Sequence, residues 1–199
     1  VWTESGQVDI ALKGGTVLTG ATIQRGTGTI DRLAVDPTST WNVRNDSALG
    51  TLDNAGTVAF VAPSGNRGFK TLTVNNYAGG GTLVLNTQLG DDTSGTDRLV
   101  IDGGTTSGNT SLRILNAGGS GDHTQTGIRV VQTVNGGTTT ADAFHLDAGS
   151  TGYRASADTL ALNGYEYSLA RGGQNRVAAD WYLTCLLYTS DAADEGLGV

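Results

Sequence analysis

Two histidines, one cysteine and a group of aspartates are the residues of this chain best equipped for chemistry: His123, His145, Cys185, Asp91, Asp92, Asp97 and Asp102. A serine hydrolase needs a Ser activated by a His base that an acid holds in place, usually on a Gly-x-Ser-x-Gly elbow in α/β hydrolases. No such elbow occurs, and both histidines stand among turn or strand residues without a partner pattern. Zinc calls for closely spaced His and Cys ligands, which two distant histidines and one cysteine do not supply. The aspartates could offer oxygens to a hard cation. Their run nevertheless lacks the Glu that closes an EF-hand loop and the nonapeptide repeat of calcium-binding β-rolls, so they read as solvated turn residues. Neither metal nor cofactor is expected, and no catalytic residue is assigned. A β-helical polysaccharide lyase or hydrolase is the strongest enzyme alternative. It would need carboxylates and Lys or Arg converging on one lateral face, whereas the chain has just two lysines, Lys13 and Lys70, and its acids lie mainly in turns.

The elements that would carry such residues are strands. The 199 residues include 31 Gly, two Pro, no Met and three Glu, a poor mixture for helices, which favour Ala, Leu, Glu, Lys and Met. Short runs of Val, Ile, Leu and Thr bounded by Gly, Asn and Asp predict many short strands joined by turns. A formal net charge of −7 opposes the phosphate-neutralising surface required by nucleic acid, so nucleic acid is not an expected partner. No apolar run approaches the ~20 residues of a membrane-spanning helix. The chain starts at Val1 without a methionine and is expected to be a fragment.

Apolar-x-apolar pairs recur: Leu33-x-Val35, Trp41-x-Val43, Val58-x-Phe60, Leu72-x-Val74, Leu83-x-Leu85, Leu99-x-Ile101 and Leu112-x-Ile114. Each pair turns two side chains to one face of a strand. Their uneven spacing suits a solenoid with variable turns, in which every coil hydrogen-bonds to the coils above and below. Regular short strands also suit a sandwich, and the pattern alone leaves both open. A solenoid must close its last coil, which otherwise exposes unpaired backbone and an apolar cross-section. Phe144, Tyr165, Tyr167, Trp181 and Tyr182, with Leu160, Leu162 and Leu169 beneath them, are expected to form that lid.

The ordered succession from GGGTLVLN through DRLVID, GIRVVQ, ADAFHLD, YEYSLARGG and DWYL resembles the C-terminal passenger region of pertactin-like bacterial autotransporters, the autochaperone module. The resemblance covers roughly Leu72 to Leu183, and the upstream WNVRNDSALGTLDNAGTVAF resembles the β-helical coils that precede this module. It implies an all-β fold, a right-handed parallel β-helix with a C-terminal β cap. It also implies a location at the cell surface or outer membrane of a Gram-negative bacterium. Asp97-Arg98-Leu99 falls on the family's D-[RK]-[LI] strand start, and Gly127, Ile128, Val130 and Val131 lie within its GI-x-V-V-Q strand. Arg171, Gly172 and Gly173 fall on its R-G-G turn, and Trp181, Tyr182 and Leu183 on its terminal WYL. With Phe144, Tyr165 and Tyr167, these residues are the expected fold-nucleating and capping set.

The expected division is a β-helical stalk over 1–76, an autochaperone cap over 77–183 and a tail over 184–199. In the tail, CLLYTSDAADE resembles a translated sequencing adapter, so Thr184 onward is expected not to be native and to pack poorly. The expected function is non-catalytic: nucleating folding of the passenger and assisting its export. The implied partners are the protein's own C-terminal outer-membrane β-barrel, absent from this fragment, and the barrel-assembly machinery. An adhesin β-helix binding host or neighbouring cells through upstream regions is the alternative reading, ahead of a carbohydrate-active enzyme.

Overall fold

The computed structural model describes residues 1–65, 68–173 and 175–185, and among them there are nineteen strands and no helix. One face is built from β3 (Val17–Gly20), β6 (Thr40–Val43), β8 (Thr57–Phe60), β10 (Thr82–Thr87), β13 (Thr110–Asn116) and β15 (Phe144–Leu146), stacked in that order and all parallel. The second sheet runs through β2 (Gln7–Leu12), β5 (Thr29–Val35), β7 (Ser47–Asn54), β9 (Thr71–Ala78), β11 (Arg98–Asp102) and β14 (Ile128–Val134), again parallel, with β12 (Thr106–Ser107) beside β9. At the N-terminal end β1 (Trp2–Thr3) pairs with β4 (Ile23–Gln24). This is a parallel β-helix, with the right-handed turn that crossovers between parallel strands take.

Register explains why the apolar pairs recur. Leu18, Trp41, Val58, Leu83, Leu112 and Leu146 are successive partners up one face. Ile10, Leu33, Leu52 and Tyr77 form a second ladder, and Leu72, Leu99, Val131 and Trp181 a third. β9 contributes to both of the latter, Tyr77 to the second and Leu72 to the third, and β7 does so through Leu52 and through Ser47, the partner of Leu72. Both members of every apolar-x-apolar pair are buried in that core. At roughly 1.5–3 kcal/mol per buried aliphatic side chain, the ladders dominate the stability of the stack. Uneven spacing in the sequence has a simple cause. Inter-coil hydrogen bonds join residues 22 apart at Gly14–Asp36 but 36 apart at Ile114–Ser150, because the turns vary in length while the strands keep register.

The stack ends differently at its two poles. At the N-terminal pole Trp2 and Val17 are each 62% exposed. At the other, β14 accepts an antiparallel neighbour, β19 (Trp181–Thr184), followed by β18 (Tyr165–Arg171), β17 (Thr159–Leu162) and β16 (Tyr153–Arg154), each antiparallel to the last. The expected division between Asn76 and Tyr77 falls inside β9, and the parallel pattern continues to β14. The expectation of poor packing from Thr184 onward is corrected for its first two residues. Thr184 is the last residue of β19 and pairs with Ser168, and Cys185 is buried, its N–H donating to the Thr124 hydroxyl and its carbonyl accepting the Thr124 N–H. The remainder, 186–199, lies outside the described residues.

The C-terminal cap as the candidate functional site

The cap forms because its sequence reverses direction in tight turns. Between β17 and β18, Asn163 and Gly164 both take positive φ (50° and 91°), the two-residue mirror-image turn whose twist matches an antiparallel hairpin. Gly127 opens β14 at φ 113°, and a Cβ there would meet the Leu183 carbonyl at 2.9 Å. Only glycine therefore lets β19 lie against β14 at this point. A register shift between Arg129 and Val131 then re-aims β14 so that Val131 faces Trp181.

Of the expected capping residues, Ile128, Val130, Val131, Phe144, Tyr167, Trp181, Tyr182 and Leu183 are buried. The Trp181 ring packs edge-on against Phe144 at 5.4 Å, and Phe144 lies 6.0 Å from Tyr77 of the preceding ladder. The aromatics thus run continuously from the stack into its lid. Arg171 is exposed, yet its Nε donates to the Thr139 hydroxyl and another of its nitrogens to the Thr139 carbonyl, at 3.0 and 2.7 Å. Gly172 donates its N–H to the Asp180 carbonyl at 2.8 Å. Tyr165 is only partly buried and packs edge-on against His123 at 4.9 Å.

Tyr167 is the longest-range tie. Its hydroxyl accepts the Asp122 N–H at 2.8 Å and directs its proton at the carbonyls of Asp122 (2.8 Å) and Gly90 (3.0 Å), the latter 77 residues away. Burial raises its pKa above the ordinary tyrosine value, so the hydroxyl stays a donor.

Two important polar residues, Asp180 and Thr139, escaped the sequence reading, and two others, Asp92 and Asp97, hold backbone where solvated turn residues were expected. Asp180 is fully buried; one of its oxygens accepts the N–H and hydroxyl of Thr133, both at 2.7 Å, while the other faces Arg129 at 3.3 Å. Thr139 gathers Trp181, Arg171 and the Ala179 carbonyl around one hydroxyl. Asp92 accepts the N–H groups of Gln125, Thr126 and Gly127, fixing the approach to β14. Asp97, expected to be a solvated turn residue, is instead fully buried, because its carboxylate stands in for missing ladder partners by accepting from the Lys70 and Asn86 backbone and the Asn86 side chain. Burial raises its pKa. An Asp directly ahead of an aromatic strand was the available signal for Asp180; nothing in the sequence distinguishes Thr139 from its neighbours.

Two arrangements superficially suit catalysis. Ser111 Oγ and His145 Nε2 lie 3.0 Å apart on the outer side of β13 and β15, but Asp147 is already bonded to Arg113 and the Gly149 N–H. Among the described residues no carboxylate therefore orients the imidazole as a triad requires. A cleft of about 520 Å³ in the cap is lined by His123, Glu166 and Cys185 among others. Burial pushes the Cys185 thiol up, favouring the un-ionised form, which is the wrong state for a nucleophile.

The family described as Autochaperone Domain Type 1 matches residues 47–168. The chain belongs to this family. The autochaperone match takes in Gly127, Phe144, Tyr165 and Tyr167 and stops short of Arg171 and the WYL strand. Among similar proteins, the adhesin BmaC autotransporter of Brucella suis is 40% identical over 138 residues, 67% of this chain and 4% of that protein. The autotransporter adhesin AIDA-I of Escherichia coli is 33% identical over 124 residues, 61% of this chain and 9% of its own length. The BrkA autotransporter of Bordetella pertussis is 28% identical over 164 residues, 80% and 16% respectively. The autochaperone chain thus spans a small part of the relatives it matches, and it belongs to the passenger of an autotransporter, at the cell surface or outer membrane of a Gram-negative bacterium.

Proposed function

We propose that this autochaperone domain is a non-catalytic folding nucleus: the cap forms first, presents a finished edge to the coil before it, and so templates the passenger and favours its outward movement. The supporting observation is the change from parallel to antiparallel pairing at β14–β19, which closes the terminal edge using side chains that reach back several coils. In a solenoid, each coil gains most of its stability from its neighbour, so a closed terminal unit removes the nucleation penalty for the next one. In this reading Gly127, Ile128, Val130, Val131, Phe144, Tyr165, Tyr167, Arg171, Gly172, Trp181, Tyr182 and Leu183 are the nucleating set, and 77–183 is the functional unit. The protein's own outer-membrane barrel and the barrel-assembly machinery are its partners during export.

Refolding kinetics of the full chain test this. Trp181→Ala in the cap and Leu33→Ala in the stalk each remove a buried core side chain. If the cap nucleates, Trp181→Ala slows folding while Leu33→Ala mainly speeds unfolding. Folding at the parental rate in Trp181→Ala would refute the proposal. The adhesin names of two relatives favour a second reading for the whole passenger, in which this domain carries an adhesive region lying elsewhere in the protein.

A further inference from the structure

The side of the cap carries a cleft of about 390 Å³ between the ends of β11, β14 and β19, lined by Asp92, Ser94, Arg98, Thr126, Gly127, Arg129 and Tyr182 among others. Its charge balance is unusual in a chain of net charge −7. Arg98 lies across β14, with Nε donating to the Arg129 carbonyl at 3.1 Å and a terminal nitrogen to the Gln132 side chain at 3.3 Å. That brings two guanidinium groups to neighbouring positions. Burial first, and the charge of Arg129 second, lower the Arg98 pKa from its ordinary value. Two carboxylates stand near. Asp180 pairs with Arg129 at 3.3 Å while its other oxygen is held by Thr133, and Asp92 is turned onto three backbone N–H groups; among the described residues no carboxylate pairs with Arg98.

We propose that this cleft binds a phosphate monoester, held by Arg98 and Arg129 with the Ser94 and Thr126 hydroxyls completing the donor set. A lone carboxylate is satisfied by one bidentate guanidinium, whereas two guanidiniums and two hydroxyls on different walls suit the several oxygens of a phosphate. The volume leaves room for a sugar attached to it. At the surface of a Gram-negative cell the group has two sources, the phosphorylated headgroup of an outer-leaflet glycolipid or a soluble sugar phosphate.

The test is titration of the full chain with glucose 1-phosphate, followed by the arginine Nε–H resonances, with glucose as the uncharged control. Saturable shifts at Arg98 and Arg129 with a Kd on the order of 1 mM or tighter are expected. Arg98→Gln should weaken binding at least ~10-fold, with Arg98→Lys intermediate, because a point charge keeps attraction but loses the fork. Absence of a saturable shift in the parent protein, or an equal response to glucose, overturns the proposal without reference to any variant. Flotation with phosphatidylcholine vesicles, with and without a phosphorylated glycolipid, separates the sources. Glycolipid-dependent flotation competed by glucose 1-phosphate assigns the headgroup, and titration without flotation assigns the soluble ester.

Discussion

The indole N–H of Trp181 donates to the hydroxyl of Thr139 at 3.1 Å, and this one bond joins the last strand of the cap to the final turn of the parallel stack. The same hydroxyl serves Arg171 and the Ala179 carbonyl, so the lid is fastened by a shared polar point as well as by its aromatic rings.

Thr139→Val keeps the shape and removes that point. Arg171 is exposed and can turn to water, but the buried indole N–H cannot. Leaving such a donor unpartnered costs about 1–3 kcal/mol. Chemical denaturation should show a loss of that size, while Thr140→Val, one residue along and exposed, should leave the midpoint in place.

Asp91 and Asp92 are neighbours with unequal roles. The Asp91 carboxylate bonds Thr93, within its own turn, whereas that of Asp92 holds the backbone of Gln125, Thr126 and Gly127 from another coil. Asp92→Ala should therefore destabilise by about 1–2 kcal/mol and accelerate amide exchange at 125–127, with Asp91→Ala within about 0.5 kcal/mol of the parent. Equal effects from the two would show that the inter-coil bonds contribute nothing.

Tyr167→Phe removes a hydroxyl and leaves the ring. The Asp122 N–H loses its acceptor and the Gly90 carbonyl its donor in a region only partly reached by solvent. A loss of about 1–2 kcal/mol is expected in urea titration. A neutral result would mean water replaces the hydroxyl.

The ladders were readable because period-two burial is written directly in Leu33-x-Val35, Leu83-x-Leu85 and their kin. The antiparallel turn of the cap was equally written in Asn163–Gly164, a hairpin signal flanked by apolar residues, though it went unread. Asp97 and Thr139 were not readable. Both look like ordinary turn residues, and their roles arise from partners 11 to 42 residues away that only register brings together. The cap aromatics fall between these cases: their size announced burial, while the bulge that aims Val131 at Trp181 depends on Gly127 meeting a distant strand.

Acid should loosen the contact between the first coils of this chain through Asp36. Its carboxylate accepts the N–H of Gly14 in the adjacent coil, the leading cause of a pKa lowered to about 2, with Thr38 and Ser39 adding to it. A depressed carboxylate pKa means stability that is present above the unfolded value of 3.8 and lost as pH falls toward about 2. Amide exchange at Gly14 should therefore rise, relative to its intrinsic rate, as pH is lowered through that window. Asp36→Asn should flatten the change.

The two poles should also unfold unequally. In this chain taken alone, β2 and β3 each pair on one edge, Trp2, Val17 and Ile23 are exposed, and β2 and β3 are only partly buried. At the other pole β14 is paired on both edges and sealed beneath Trp181 and Leu183. In a stack governed by nearest-neighbour terms, fraying starts where a neighbour is missing. Native-state hydrogen exchange should then find β2 and β3 opening by local fluctuation and β14 and β19 only with global unfolding. Trp181→Ala, at roughly 3–5 kcal/mol, should reverse that order by making β14 the weaker end. If β14 in the parent exchanges as fast as β2, the cap is not the most stable unit, and a nucleus at this end loses its physical basis.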